Sequence, residues 1–179
     1  MKLNLIVLPK KGFHEDDLFN FLDILDGRTY VATQNKDIAI GKYKSKVVPD
    51  FDVEDIFLLQ TADYDRIIFI ADEGFKYFNN NEIYGLFVRF LNSYKTVILS
   101  SLAQIAFARA GLLTGRTIVY NNDDYPEYIN ELREYGITIN TVEDYYVDRN
   151  LITVKGRDSI YELGKKLEKI ENNIKEYLL

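Results

Sequence analysis

The feature that most limits the possible folds of this chain is a continuous apolar run, "RIIFIAD", at residues 66–72. Such a run, rich in β-branched side chains, is typical of a strand that is buried on both faces of a parallel sheet. Comparable runs occur at Lys2–Leu8 and Thr96–Leu99, and helical patterns separate them. This alternation predicts an α/β fold with a mostly parallel central sheet.

Helices are predicted from apolar residues that recur at i, i+3, i+4 and i+7. The first helix follows His14 and has Leu18, Phe21, Leu22 and Leu25 on one face. A later helix begins after Asn80 or Asn81, which are favourable N-cap residues. Further helices are expected at residues 53–65, at 125–136 between Pro126 and Gly136, and at 159–179, where the apolar stripe is Leu167, Ile170, Ile174 and Leu178.

The remaining segments predict short strands at residues 29–33, around a turn near Gly41, and at Thr117–Tyr120. "DYYVDRNLITVKG" alternates in polarity across Arg149–Asn150, which predicts a late β-hairpin. The chain has 179 residues, the length of one ordinary domain, and neither a repeat nor a low-complexity linker divides it. We therefore predict a single domain over residues 1–179, with a flavodoxin-like, three-layer sandwich fold.

Composition excludes several classes of site. The chain has no cysteine and one histidine, so disulfides, thiolate metal sites, cysteine nucleophiles and multi-histidine metal sites are excluded. Its net charge of −6 argues against a nucleic acid or an anionic membrane as partner. No apolar run reaches the roughly 18 residues of a membrane span, and the N-terminus predicts a strand rather than a signal peptide. We expect a cytoplasmic protein with no metal and no cofactor.

One stretch carries the main functional signal, "KTVILSSLAQIAFARAGLLTGR" at residues 95–116. It predicts a buried strand, a tight corner at Ser100 and Ser101, and an apolar helix that ends at Gly111. A strand that turns directly into a helix is where many α/β hydrolytic folds hold a nucleophile. Ser101 is therefore either a nucleophile or the remnant of one.

The order of elements and several phrases resemble the ThiJ/PfpI family, within the class I glutamine amidotransferase-like superfamily. The resemblance covers roughly Lys2–Leu167 and rests on "LIVLPKKGFHEDDL", "ADYDRIIFI", "AGLLTGR" and "YVDRNLITVKG". "AGLLTGR", after the corner helix, is the most specific phrase. The family includes the parkinsonism-associated deglycase and archaeal intracellular proteases, and the resemblance implies a homodimer.

The resemblance also assigns positions to the family's site, and each departs from the family pattern. Ser101 stands where the family has its nucleophilic cysteine, and Asp17 where it has a glutamate. Ala71 and Asp72 replace a Gly-Gly turn that helps to form an anion pocket, and Asn121 replaces a histidine or tyrosine. Leu102 would complete the rim of that pocket, together with Ala71, Asp72 and Asn121.

A base is the second requirement for a serine nucleophile, since a serine hydroxyl does not ionise near neutral pH without a partner. His14 is the only imidazole, and it lies before the first helix, on the same edge of the sheet as Ser101. Glu15 or Asp16 could orient it. Asp17 is the alternative base. Each residue also has a purely structural interpretation: His14 as an exposed loop histidine, and Asp17 as a first-turn carboxylate that the helix dipole favours.

Two hypotheses follow. In the first, the chain is a divergent ThiJ/PfpI protein without the Cys-dependent deglycase, glyoxalase or peptidase activity, and it acts as a small-molecule-binding or protein-interaction module. In the second, it is a serine-dependent hydrolase or amidase, such as an intracellular protease, with Ser101 as nucleophile and His14 or Asp17 as base.

Overall fold

A computed structural model of the chain describes residues 1–178, with the side chains of residues 1–177. The strands are β1 (Leu3–Val7), β2 (Lys11–Phe13), β3 (Arg28–Thr33), β4 (Ala39–Gly41), β5 (Lys46–Val47), β6 (Phe51–Asp52), β7 (Arg66–Ala71), β8 (Thr96–Ser101), β9 (Thr117–Val119), β10 (Thr138–Asn140), β11 (Tyr145–Asp148) and β12 (Leu151–Val154). The helices are α1 (Glu15–Ile24), α2 (Val53–Asp55), α3 (Asn81–Asn92), α4 (Ala103–Arg109), α5 (Ile129–Glu134), α6 (Ser159–Gly164) and α7 (Leu167–Leu178).

The central sheet has the strand order β11-β12-β8-β7-β1-β3-β6. All neighbouring strands are parallel except β11 and β12, which form the predicted antiparallel hairpin. Because β1, β3, β7, β8 and β12 run in one direction, their ends meet along one side of the sheet, called here the carboxyl edge. Their beginnings form the opposite side, the amino edge. Loops at the carboxyl edge are the usual place for a site in such a sheet.

Helices cover both faces of the sheet, so the predicted three-layer α/β sandwich is confirmed. One face buries side chains of α3, α4 and α5 against alternate residues of β1, β7 and β8. The other face buries side chains of α1, α6 and the start of α7. β7 is buried at each of its positions, which explains its unbroken apolar run. Within residues 1–178, no helix is both long and apolar enough to cross a membrane.

Several predicted boundaries are confirmed and a few are wrong. Asn80 caps α3 through its side chain, and helical turns cover Val53–Asp63 as expected. The three-residue strands β2 and β10 were not predicted, because they are too short to show a periodic pattern. β8 continues to Ser101, so the corner lies one residue later than predicted.

The final segment is two helices rather than the single predicted one, because α6 and α7 are separated at Lys165 and Lys166. Gly164 lies so close to α1 that an added Cβ would be 2.7 Å from Ile24 Cγ2. α6 packs on α1, and α7 starts after the break, at Leu167. Leu167 and Ile174 of the predicted stripe are buried, and Ile170 is half-buried. The side chain of Leu178 lies outside the described part of the chain.

Candidate functional site

The turn from β8 into α4 has the backbone of a nucleophile elbow. Ser101 has φ +60°, in the left-handed region that a serine rarely adopts. The N–H of Leu102 donates to the carbonyl oxygen of Ala71 on the neighbouring strand, with an N···O distance of 3.0 Å. These contacts place Ser101 at the carboxyl edge, where only 2% of its surface is exposed. A strained residue held by its surroundings at this position is typical of functional sites.

The side chain of Arg157 occupies the space beside the Ser101 hydroxyl. Arg157 Nη1 donates to Ser101 Oγ over 3.3 Å and to Asp17 Oδ2 over 2.9 Å. The hydroxyl of Tyr125, which Arg157 also contacts, is a second neighbour that can hydrogen-bond to Ser101. Since an arginine guanidinium has donors only and does not lose its proton, it cannot act as a base for Ser101.

Asp17 is fully buried, and its carboxylate is committed to Arg157. Besides the ion pair, Asp17 Oδ1 accepts the backbone N–H of Arg157 over 2.6 Å. Gly156 makes this approach possible, because it has φ +105° and an added Cβ would lie 3.1 Å from both Asp17 oxygens. Burial raises the pKa of the Asp17 carboxyl above its usual range, and the charge of Arg157 offsets only part of that rise.

A second carboxylate, Asp72, completes the cluster. The hydroxyl of Tyr125 donates to Asp72 Oδ1, and Arg157 Nη2 donates to the same hydroxyl. Arg157 Nη2 also lies 3.7 Å from Asp72 Oδ1. Burial raises the pKa of Tyr125 well above its ordinary value, and its bond to Asp72 adds to the rise. We call Asp17, Asp72, Ser101, Tyr125 and Arg157 the elbow cluster.

The structure does not join His14 to Ser101 by a hydrogen bond within the described residues. His14 is instead the N-cap of α1, where its Nδ1 accepts the N–H of Asp16 over 3.1 Å. Its ring lies edge-on to Tyr43 at 5.4 Å. The lone pair that would accept the serine proton on this nitrogen is therefore already used.

The two acids predicted to orient His14 have other positions. Glu15 accepts the backbone N–H groups of Tyr43 and Ser45 at 2.9 and 3.1 Å. Burial of Glu15 raises its pKa, but these backbone bonds outweigh that effect and hold the pKa below its usual range. Glu15 thus fixes the loop between β4 and β5, while Asp16 is exposed at the start of α1.

The predicted rim residues divide into two groups. Ala71, Asp72 and Leu102 are buried beside Ser101, at the ends of β7 and β8. Asn121 holds its own turn, since its side chain donates to Asp124 Oδ2 over 2.9 Å and accepts the Asp124 N–H. Its backbone carbonyl oxygen accepts the N–H of Tyr125 over 3.1 Å, but among the described hydrogen bonds its side chain makes none to the elbow cluster.

Two residues of the elbow cluster, Arg157 and Tyr125, were not predicted from the sequence. Their hydrogen bonds connect Ser101, Asp17 and Asp72. A signal for Arg157 was present, because it directly follows the "LITVKG" phrase at the end of β12, next to β8 in the sheet. Charged residues at this end of adjacent parallel strands are expected to meet. Tyr125 lies in an irregular loop after β9, and its sequence position gave no indication of its contacts.

The strand order and the elbow together define a class, the flavodoxin-like α/β sandwich that holds a residue at a nucleophile elbow. Within that class, the chain superposes on a ThiJ/PfpI domain protein from Brachyspira murdochii with a TM-score of 0.78, 19% identity and 96% of each chain covered. It superposes equally well on Drosophila melanogaster DJ-1beta, with a TM-score of 0.78, 17% identity and coverage of 99% and 98%. The chain therefore has the ThiJ/PfpI fold that its motifs predicted.

Sequence comparison adds a more similar relative. An uncharacterized protein from Methanocaldococcus jannaschii is 29% identical over 176 residues, which cover 94% of this chain and 82% of the relative. No protein-family model matches the sequence. The similarity to the solved structures, at 17–19% identity, is a similarity of fold.

Proposed function

We propose that this protein is a divergent ThiJ/PfpI family member that lacks the Cys-dependent deglycase, glyoxalase and peptidase chemistry, and that it acts as a binding module for a small molecule. One observation carries the proposal, the guanidinium of Arg157 between Ser101 and Asp17. A nucleophilic serine must give its proton to a base. The Asp17 carboxylate, the alternative base, already accepts two bonds from Arg157, so the Ser101 hydroxyl lacks that acceptor.

Steady-state assays with methylglyoxal test this proposal. We expect the purified protein and its Ser101→Ala variant to show the same background rate. Ser101→Cys restores a thiol without freeing Asp17, so we expect little gain from it alone. Combining Ser101→Cys with Arg157→Gly frees the carboxylate and should raise the rate above that of Ser101→Cys. A wild-type rate that Ser101→Ala abolishes would refute the proposal.

A serine-dependent hydrolase or amidase is the competing function, and the left-handed backbone of Ser101 favours it, because such strain is typical of a nucleophile elbow. This function predicts covalent labelling by a fluorophosphonate probe that disappears in Ser101→Ala. Our proposal predicts no labelling of Ser101 up to about pH 9, since a serine without a base is a weak nucleophile at that pH.

We further propose that the protein works in the cytoplasm as a homodimer, with a small molecule rather than nucleic acid or a membrane as its ligand. The resemblance to the ThiJ/PfpI family and the net charge of −6 support this. Light scattering coupled to size-exclusion chromatography should give twice the mass of the 20.9 kDa chain. A mass of one chain at micromolar concentration would contradict the dimer.

A further inference from the structure

A crevice separate from the elbow cluster opens at the carboxyl edge, around the end of β1. It has a volume of about 380 Å³, within the usual range for small-molecule sites. The loops after β1, β3 and β7 form its walls. These loops diverge because β1 leads to α1 on one face of the sheet and β7 leads to α3 on the other. Crevices at such a change of direction are where open α/β sheets bind ligands.

Polar side chains dominate one wall of the crevice. The lining includes the amides of Gln34, Asn35 and Asn79 and the carboxylate of Asp37. Thr33 Oγ1 donates to the Asp37 carbonyl oxygen over 2.6 Å, which holds the loop after β3 in place. Amide and carboxylate groups suit a ligand that carries several hydroxyl or ring N–H groups.

Positive charge gathers around Tyr77, which lines the crevice together with Lys10, while Lys11 and Lys76 lie just outside the lining. Lys10 Nζ lies 4.8 Å from the centroid of the Tyr77 ring, and both Lys11 Nζ and Lys76 Nζ lie 5.6 Å from it. No carboxylate lies within salt-bridge distance of these three ammonium groups among residues 1–177. Three unpaired like charges around one ring repel one another.

This concentration of positive charge is unusual for a chain with 28 acidic and 22 basic residues. A tightly bound anion would relieve the repulsion, and three ammonium groups match a dianion better than a single carboxylate. Lysine commonly binds phosphate as a point charge. The hydrogen bond from Lys11 and the nearby charges of Lys76 and Lys10 also lower the pKa of the Tyr77 hydroxyl, as expected in a strongly positive environment.

We propose that this crevice is a binding site for a small phosphorylated molecule with a polar body, such as a nucleoside or sugar phosphate. The phosphate binds Lys10, Lys11 and Lys76, and the body contacts the Tyr77 ring and the amides of Gln34, Asn35 and Asn79. The site is separate from Ser101 and Arg157, and it rests on the proposed role of the protein as a binding module.

Calorimetric titration with AMP tests the site, with adenosine and inorganic phosphate as comparison probes. We expect AMP to bind and to bind more tightly as the salt concentration falls, because charged contacts are screened by salt. The triple variant Lys10→Gln/Lys11→Gln/Lys76→Gln should weaken binding at least about tenfold, which is the loss expected for one charge-assisted hydrogen bond. The matched control is Lys166→Gln/Lys169→Gln/Lys175→Gln, which removes three exposed charges near the C-terminus and should leave the affinity unchanged.

The titrations also define what would overturn the site. Failure to detect AMP binding at about 10 mM, or equal weakening in the two triple variants, would exclude specific phosphate recognition here. Equal affinity for AMP and adenosine would exclude a role for the phosphate, and equal affinity for AMP and inorganic phosphate would exclude a role for the body. Tyr77→Leu should weaken AMP binding while Tyr77→Phe should not.

These results are independent of the elbow chemistry. Turnover of methylglyoxal that depends on Ser101 would refute the proposed non-catalytic role. It would not change what the AMP titrations say about the crevice. Loss of AMP binding in the lysine variant alone would support the crevice whatever that assay shows.

Discussion

Two arginines lie at opposite ends of the central sheet, and their surroundings differ in charge balance. Arg66 begins β7 at the amino edge, and Arg157 follows β12 at the carboxyl edge. Both are bound to a buried carboxylate. Arg66 is 2% exposed, whereas 23% of the Arg157 side chain reaches solvent.

The amino-edge cluster is electrically matched. Arg66 Nε and Nη2 donate to the two oxygens of Glu171 over 2.9 and 2.6 Å, and Nη1 donates to Asp26 over 2.6 Å. Lys2 adds a second cation, 2.8 Å from Glu171. Two cations therefore face two carboxylates. Although burial raises the pKa of Glu171, the bonds from Arg66, Lys2 and Thr96 outweigh this and lower it to about 2.

The elbow cluster is unmatched, because one cation, Arg157, faces Asp17 and Asp72. The pKa of Asp17 is raised by burial, opposite to the shift of Glu171. Removing one partner of a matched buried pair strongly destabilises a fold, while strongly shifted pKa values are concentrated at functional sites. The comparison shows that the elbow cluster has surplus negative charge beside the strained Ser101, whereas the charges of the amino-edge cluster are matched.

The largest expected effect comes from removing the matched arginine. Arg66→Met leaves Glu171 as a buried charge without its bidentate donor, so we expect the free energy of unfolding to fall by about 3–5 kcal/mol. Arg157→Met should cost less, because Asp17 can take up a proton when its cation is lost. Urea unfolding at pH 7 measures both.

Arg109→Met is the control for this pair, since Arg109 has an exposed bidentate ion pair with Glu131. Its loss should change the free energy of unfolding by no more than about 1 kcal/mol. Similar losses for Arg66→Met and Arg157→Met would remove the distinction between the two clusters.

The second effect is on the pH dependence of stability, which should have opposite signs for Glu171 at the amino edge and Asp17 at the carboxyl edge. Glu171 has a folded pKa of about 2 against an ordinary value of 4.5, so its contribution to stability is present above pH 4.5 and is lost as the pH falls through 2. At neutral pH the lowered pKa of Glu171 adds about 3 kcal/mol to the free energy of unfolding. Asp17 has a raised folded pKa, so its contribution is present below pH 3.8 and is lost as the pH rises through the folded value.

Urea unfolding of Glu171→Gln and Asp17→Asn between pH 7 and pH 3 separates these contributions. Acidification should reduce the advantage of the wild type over Glu171→Gln and improve the wild type relative to Asp17→Asn. If the two variants follow the same pH profile, the proposed difference in charge balance is wrong.

The smallest effect concerns the hydroxyl that links Asp72 to Arg157. Tyr125→Phe removes one buried donor and acceptor, and we expect a loss of about 1–2 kcal/mol in the free energy of unfolding. Tyr161→Phe removes an exposed hydroxyl that donates to Asp23 over 2.8 Å, and it should cost no more than about 0.5 kcal/mol. Thermal unfolding of the two variants decides whether the elbow cluster is tightly bonded.

The fold was predictable because its strands are long and buried. The apolar runs of β1, β7 and β8 need no long-range information to be recognised as strands, and "AGLLTGR" places the elbow helix. The division of the last helix into α6 and α7 was not predictable, because it depends on the contact between Gly164 and Ile24 in α1. Such a contact lies between residues far apart in sequence.

The site was predictable only in part. The resemblance placed Ser101, Asp17 and Asp72 at one edge, and the structure brings them to a common partner. That partner, Arg157, lies 140 residues from Asp17 in the sequence. The left-handed backbone of Gly156 directs the N–H of Arg157 toward the Asp17 carboxylate. The interaction of His14 with its own helix was equally hidden, since capping and catalysis can use the same ring nitrogen.

The position of Glu171 has a consequence for the synthesis of the protein. Lys2, Arg66 and Thr96 all leave the ribosome well before Glu171 does, yet all three donate to its carboxylate. Until α7 emerges, the growing chain has an arginine at the amino edge of its sheet without its main acceptor. A nascent chain that stalls before residue 171 should therefore be open to proteases and chaperones, and its protection should rise sharply once α7 has been released.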